Sequence, residues 1–203
     1  ELNNLNDVTM NRKYANLMGY TRHEVETCFS GHISEFAKEI GRQPEEIVET
    51  LRTRYDGYRF SETDVRVYNP FSVLKALDEK AFKNYWFETG TPTFLVNLLK
   101  ESRWDLPKIE NMQANEGVFS TYELENLKPE DLLFQTGYVT IKDVAERLYR
   151  FGYPNNEVKT AFLETLLYAC TQWNRTVSQF VLLSQYLETE NLENFIEVMI
   201  KIY

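Results

Sequence analysis

Tyr138-Val139-Thr140-Ile141 and Leu148-Tyr149-Arg150-Phe151 are the two runs on which the fold turns. Both are rich in β-branched and aromatic residues, and the second alternates. The link between them, Lys142 to Arg147, is charged apart from Val144 and Ala145. This pattern predicts an antiparallel hairpin. Upstream, Pro129-Glu130-Asp131-Leu132-Leu133-Phe134-Gln135-Thr136-Gly137 reads as a short helix stopped by its glycine. Downstream, Gly152-Tyr153-Pro154-Asn155-Asn156 turns the chain, and Asn155 or Asn156 caps a strong helix. Val158, Ala161, Phe162, Leu166, Tyr168, Ala169 and Trp173 carry its apolar side. Helix, hairpin, helix is the element order of a winged helix.

Towards the N-terminus the periodicity is helical. Residues 1–20 are polar and read as loop and short turns. Thr21-Arg22-His23-Glu24 is a capping-box pattern, and Val25, Cys28, Phe29, Ile33, Phe36 and Ile40 follow at helical spacing, with Gly31 a candidate break. Gly41 stops this helix, and Pro44 with Glu45 and Glu46 opens the next, whose inner face is Ile47, Val48, Leu51 and Tyr55. Gly57 supplies its C′ residue. A short extended segment through Val65, Val67 and Tyr68 leads to Asn69-Pro70, the cap and first residue of a helix carrying Phe71, Val73, Leu74 and Leu77. In Asn84 to Leu99, three aromatics precede Gly90, then Thr91-Pro92 as cap and first helical residue. Such a corner either packs as core or presents free N–H groups to an anionic or planar ligand. Residues 101–127 read as a long connection, and two more helices are expected at about 176–187 and 191–202.

Composition narrows the functional classes. The 203 residues are 43% hydrophobic, enough for a substantial core, and carry a net charge of −9, which repels phosphate backbones in the absence of a local basic patch. The densest basic run is Arg52, Arg54 and Arg59, interrupted by Asp56. Cys28 and Cys170 sit in apolar helical contexts, as buried reduced thiols of a cytoplasmic protein would. No apolar stretch is long enough to span a membrane, and the opening residues lack the basic and apolar regions of a signal peptide, so none is expected. The chain starts on Glu1-Leu2-Asn3-Asn4 and stops at Ile200-Lys201-Ile202-Tyr203 inside an apolar-periodic run, so a piece of a longer protein is expected.

Little here supports chemistry directly. No complete P-loop is present. His23 and His32 would lie ~13.5 Å apart along one helix, too far to share a metal. No carboxylate pair is marked out for acid–base work. Tyr55, Tyr58 and Phe60 either stack a base or pack a helix end.

Taken together and in order, several motifs carry a resemblance. They are Leu2-Asn3-Asn4-Leu5-Asn6-Asp7-Val8-Thr9, Tyr55-Asp56-Gly57-Tyr58-Arg59-Phe60 and Val67-Tyr68-Asn69-Pro70-Phe71-Ser72. Tyr85-Trp86-Phe87-Glu88-Thr89-Gly90-Thr91-Pro92, Leu133-Phe134-Gln135-Thr136-Gly137-Tyr138 and Tyr153-Pro154-Asn155-Asn156-Glu157-Val158 follow. Over about residues 1–175 the chain resembles the bacterial AAA-ATPase-like family. Its members join an N-terminal P-loop ATPase to, often, a C-terminal PD-(D/E)XK nuclease-like domain.

The resemblance implies a mainly α chain. Residues 1–20 would be the tail end of the ATPase core, 21–127 a helical lid-like region, and 128–175 a winged-helix-like module with one hairpin. Residues 176–203 would be a helical linker toward the C-terminal domain. The Walker A, Walker B and nuclease residues fall outside the sequence, so it implies no catalytic residue and no metal ligand here, with ATP and Mg bound by the parent protein. Gly90-Thr91-Pro92 resembles the Gly-x-Pro lid turn of signal-transducing P-loop ATPases, in which Pro packs on adenine, and Tyr58 and Arg59 are secondary cofactor-facing candidates. The expected partners are the P-loop core and the nuclease-like domain. Two other readings compete. One is a nucleic-acid-binding winged helix using Lys142, Arg147 and Arg150, opposed by Asp143 and Glu146. The other is a protein-interaction surface on the aromatic-rich lid.

Overall fold

The computed structural model describes residues 8–86, 106–119, 129–146 and 148–170, together with Asn194, Ile196 and Glu197. Gly90-Thr91-Pro92, the helix expected to follow them, and most of 171–203 lie outside the described residues. The chain divides into two compact units, Glu1–Leu163 and Glu164–Tyr203. The described residues are mainly helical, with a small antiparallel sheet.

Four helices open the first unit: α1 (Arg22–Cys28), α2 (Ser30–Ile40), α3 (Pro44–Tyr55) and α4 (Pro70–Glu79). The capping box at Thr21 is present. Glu24 N–H donates to Thr21 Oγ1 at 3.3 Å, and Thr21 N–H donates back to Glu24 at 2.7 Å. Asn69 caps α4 by accepting from Phe71 and Ser72 N–H at 3.0 and 3.4 Å. Gly41 closes α2 in the left-handed region at φ 68°. Thr21→Ala is expected to lower the unfolding free energy by about 1 kcal/mol, read by urea denaturation. An unchanged midpoint would mean that water caps α1 equally well.

The break between α1 and α2 falls at Phe29, not at Gly31, and it redirects the register. Phe29, at φ −107° and ψ 13°, packs edge-on against Tyr20 at 5.3 Å. Cys28, the last residue of α1, is thereby left exposed, which corrects the expectation of a buried thiol. The side chain of Cys170 is outside the described set. His23 and His32 fall on separate helices. Val25, Ile33, Phe36, Ile47, Leu51, Tyr55, Val73 and Leu77 form the helical core with Tyr68 and Tyr85. Phe71 and Leu74, expected with them, stay 43% and 44% exposed on the outer side of α4.

The hairpin exists with shifted bounds and gains a third strand. Strand β1 (Gln113–Ala114) comes from the stretch read as a connection. With β2 (Thr140–Ala145) and β3 (Leu148–Gly152) it makes a sheet in the order β1-β3-β2. Helix α5 (Pro129–Gln135) precedes β2, and α6 (Asn156–Cys170) follows β3. Tyr138 and Val139 are not strand, because both their N–H groups bond Leu133 O as the chain leaves α5 through Gly137, at φ 80°. They serve as core plugs instead. Phe119, Phe134, Tyr149 and Phe151 pack edge-on and tilted around one another on the sheet, at centroid distances of 4.7 to 6.5 Å. The aromatic richness of the sequence therefore goes into core area.

Pairing along the hairpin shifts once. Ile141 faces Phe151 and the next pair is Asp143 with Arg150, so Lys142 is the unpaired residue of a β-bulge. Bulges re-aim side chains and bend the strand that holds them.

Candidate functional site

The site is assembled from two of the turn motifs. Tyr55-Asp56-Gly57-Tyr58 ends α3, and Tyr153-Pro154-Asn155-Asn156 joins β3 to α6. They meet at Gly57, whose φ is +116° and where an added Cβ would lie 2.2 Å from Pro154 O. Only glycine fits there, both for its backbone angle and for the contact. Thr140 Oγ1 receives the Arg59 N–H at 2.8 Å and donates to Arg59 O at 3.3 Å, fastening the segment after Gly57 to β2.

Beside this junction lies an open pocket of about 650 Å³. Arg52 of α3, Arg66, Lys142 of β2, Arg150 of β3 and Lys159 of α6 bring their charges to it, against the carboxylates of Asp56 and Glu110. The cations come from segments far apart in sequence, so no basic run marks them in the chain. Of the densest basic run in the sequence, Arg52, Arg54 and Arg59, only Arg52 is among the described lining residues. Lys142 reaches the pocket because of the bulge, and its stem lies across Gly152, where a Cβ would come within 3.2 Å of it. Its ammonium donates to Pro154 O at 3.2 Å. Burial, then the neighbouring Arg66 and Arg150, push its pKa down to about 8. Burial raises the Asp56 carboxyl, opposed by the Gly57 N–H and by Arg66 and Arg52.

Two of these five charges are only loosely held. Arg150 meets Asp143 at 3.9 Å, and Lys142 has no carboxylate partner among the described residues. Arg66 is paired with Asp64 at 2.9 Å, Arg52 with Glu49 at 2.6 Å and Lys159 with Glu110 at 2.6 Å, all at partly exposed positions where such pairs contribute little. Asn155 is 8% exposed and its Oδ1 accepts the Val158 N–H at 3.1 Å. That contact fixes the amide so that its buried Nδ2 has no acceptor among the described residues. The arrangement suits anion binding and holds no nucleophile with an adjacent base.

Tyr58 and Arg59, singled out in the sequence, are buried elsewhere in this junction. Tyr58 is stacked on Phe60 with rings 9° from parallel. The Arg59 guanidinium turns back to the carbonyls of its own loop, donating to Ser61 O at 3.0 Å, to Thr63 O at 3.1 Å and to Glu62 O. Tyr55 is fully buried and its hydroxyl donates to Lys83 O at 2.9 Å.

A second arrangement joins the remaining motifs. Glu157, in the first turn of α6, is fully buried. Its carboxylate accepts the Ser72 hydroxyl at 3.0 and 2.8 Å and the Trp86 N–H at 3.0 Å. Burial pushes its carboxyl above the ordinary value, against the pull of those donors, of the Tyr85 N–H and of Arg54. Trp86 also sets its ring edge-on to Tyr138 at 4.9 Å. Nothing in the sequence marked Glu157 as distinct from the surface glutamates, except its place after Tyr-Pro-Asn-Asn.

Comparison with known proteins adds one relative. A protein of Azotobacter chroococcum mcd 1, described as "Uncharacterized protein in vnfD 5'region", is 41% identical over 170 residues, 82% of this chain. The chain spans 31% of the length of that relative. No family model matches, and no solved structure matches. Among the described residues no helix is long and apolar enough to cross a membrane, and no group of His, Cys, Asp and Glu is placed to hold a metal ion.

Proposed function

We propose that these residues form the non-catalytic lid and winged-helix-like part of an AAA-type ATPase. This part closes on nucleotide held by a P-loop core and relays its state to a nuclease-like domain. The observation that carries the reading is the Glu157 carboxylate. It ties Trp86, the last described residue before the stretch holding Gly90-Thr91-Pro92, to the first turn of the helix that follows the hairpin. A displacement of that stretch would reach α6 through one buried hydrogen-bonded group rather than through a flexible loop. The sequence α5, hairpin, α6, with β1 completing the sheet, supports the winged-helix-like description. The match to a part of a much longer protein supports a role within a larger chain.

Pro92→Ala and Gly90→Val in the protein carrying its P-loop core are expected to weaken ATP binding about tenfold, through loss of an apolar cover on the base and of the turn that aims it. Equal ATP affinity of the variants and the parent in equilibrium dialysis would overturn the lid assignment.

A further inference from the structure

We infer that the pocket between α3, the sheet and the start of α6 is a binding site for a compact phosphoryl oxyanion carrying two or more charges, of the pyrophosphate or phosphomonoester class. This rests on the pocket alone and does not depend on the ATPase reading.

Three observations converge on it. The first is charge gathered from distant segments: the chain carries −9 overall, yet Arg52, Arg66, Lys142, Arg150 and Lys159 line one cavity, whose lining carboxylates are Asp56 and Glu110, while Glu49, Asp64 and Asp143 pair with three of the cations from partly exposed positions. Like charges so gathered repel one another, and a multivalent anion among them turns that repulsion into attraction. The second is unmet bonding capacity. Lys142, with no carboxylate partner among the described residues, donates to one main-chain carbonyl, Pro154 O. An ammonium carries three donors, so Lys142 keeps N–H groups for the phosphoryl oxygens of an anion in the pocket. The third is how the central cation is placed. A bulge leaves Lys142 out of the ladder and its stem runs over the side-chain-free Gly152 to lie across the floor, a local irregularity that the sheet itself does not require.

Size and surroundings favour a small anion over a polymer. A cavity of about 650 Å³ accommodates a ligand of a few phosphoryl groups. Among the described residues Tyr153 is the only aromatic one in the lining, and it is buried, so the described lining offers no ring for stacking bases. A polynucleotide would also meet the acidic remainder of the surface. A compact anion inside the pocket is screened from charges beyond about 8 Å at physiological salt.

The test is titration calorimetry of the 203-residue chain with sodium pyrophosphate in a buffer free of phosphate and sulfate, alongside amide NMR shifts. Saturable binding with Kd below ~1 mM is expected, with shifts at Gly57, Gly152 and Asn156. Arg66→Gln with Lys159→Gln should weaken binding about tenfold or more, whereas Arg42→Gln, an exposed charge outside the pocket, should leave it unchanged. Glu110→Gln releases Lys159 and should tighten binding by roughly threefold, a gain that misfolding cannot mimic. The inference is overturned by the absence of heat and shifts up to ~10 mM pyrophosphate. Equal weakening by Arg42→Gln would also overturn it, since binding would then be diffuse. So would a single-stranded oligonucleotide that binds more tightly than pyrophosphate and loses affinity in the same variants, which would make the pocket part of a nucleic-acid track.

Discussion

Replacing Glu157 with Ala is expected to lower the unfolding free energy by about 3 kcal/mol or more, enough to remove much of the stability of a domain this size. The buried carboxylate accepts from the buried Ser72 hydroxyl and from the Trp86 N–H, and Ala removes that acceptor while opening a void. Glu157→Gln keeps the shape and one acceptor oxygen and should cost less. The two variants also separate the charge from the shape. Because burial raises the folded-state pKa of Glu157, its proton is held more tightly in the native chain than in the unfolded one. The resulting stability is fully present below the unfolded value of about 4.3 and is lost as pH rises through the folded value. Wild type should therefore gain on Glu157→Gln as pH is lowered from neutral toward ~5 in urea denaturation, since other titrating groups cancel in the difference. A difference that does not change with pH would show that the carboxylate is ionised without penalty, and the account of the site would fail.

Gly57→Ala is the second substitution with a large expected effect, also about 3 kcal/mol. Two penalties act at once. A side chain at φ +116° is strained in any space, and here the new Cβ would sit 2.2 Å from Pro154 O and 3.1 Å from Pro154 C. The clash is with main chain, so no rotamer relieves it. The turn carrying Asn155 must move, and with it the pocket and the start of α6. Thermal denaturation reads the stability loss. A Tm within a degree or so of wild type would mean that the two turns are not held together as described.

These two positions show what the sequence can and cannot disclose. Helix starts and stops were legible where a local group makes them. Thr21 with Glu24, Asn69 with Pro70, and Gly41 each act within a few residues of the end they define. The hairpin was legible from its β-branched and aromatic runs, though not its bounds, since the chain leaving α5 takes the N–H groups of Tyr138 and Val139. Strand β1, of residues Gln113–Ala114, is too short to show alternation and exists only because β3 offers it an edge. Cys28 misled because helical spacing was carried across Phe29, where the axis changes. The pocket was invisible for a different reason. Its cations are spread from Arg52 to Lys159, most of them beside acidic neighbours, and only the meeting of two turns collects them. Arg59, by contrast, stood out beside tyrosines and proved to be spent on the carbonyls of its own loop.

The bulge at Lys142 also makes the floor of the pocket a separable part of the protein. Ile141 already faces Phe151, and Asp143 already faces Arg150, so the ladder on either side is complete without the residue between them. Excising that one residue would close the ladder into regular pairing and leave each flanking side chain on the face it now occupies. In a strand without a bulge, the same deletion would turn half the sheet inside out. Evolution can thus insert or withdraw the central cation in a single step, at little cost to the fold that carries it.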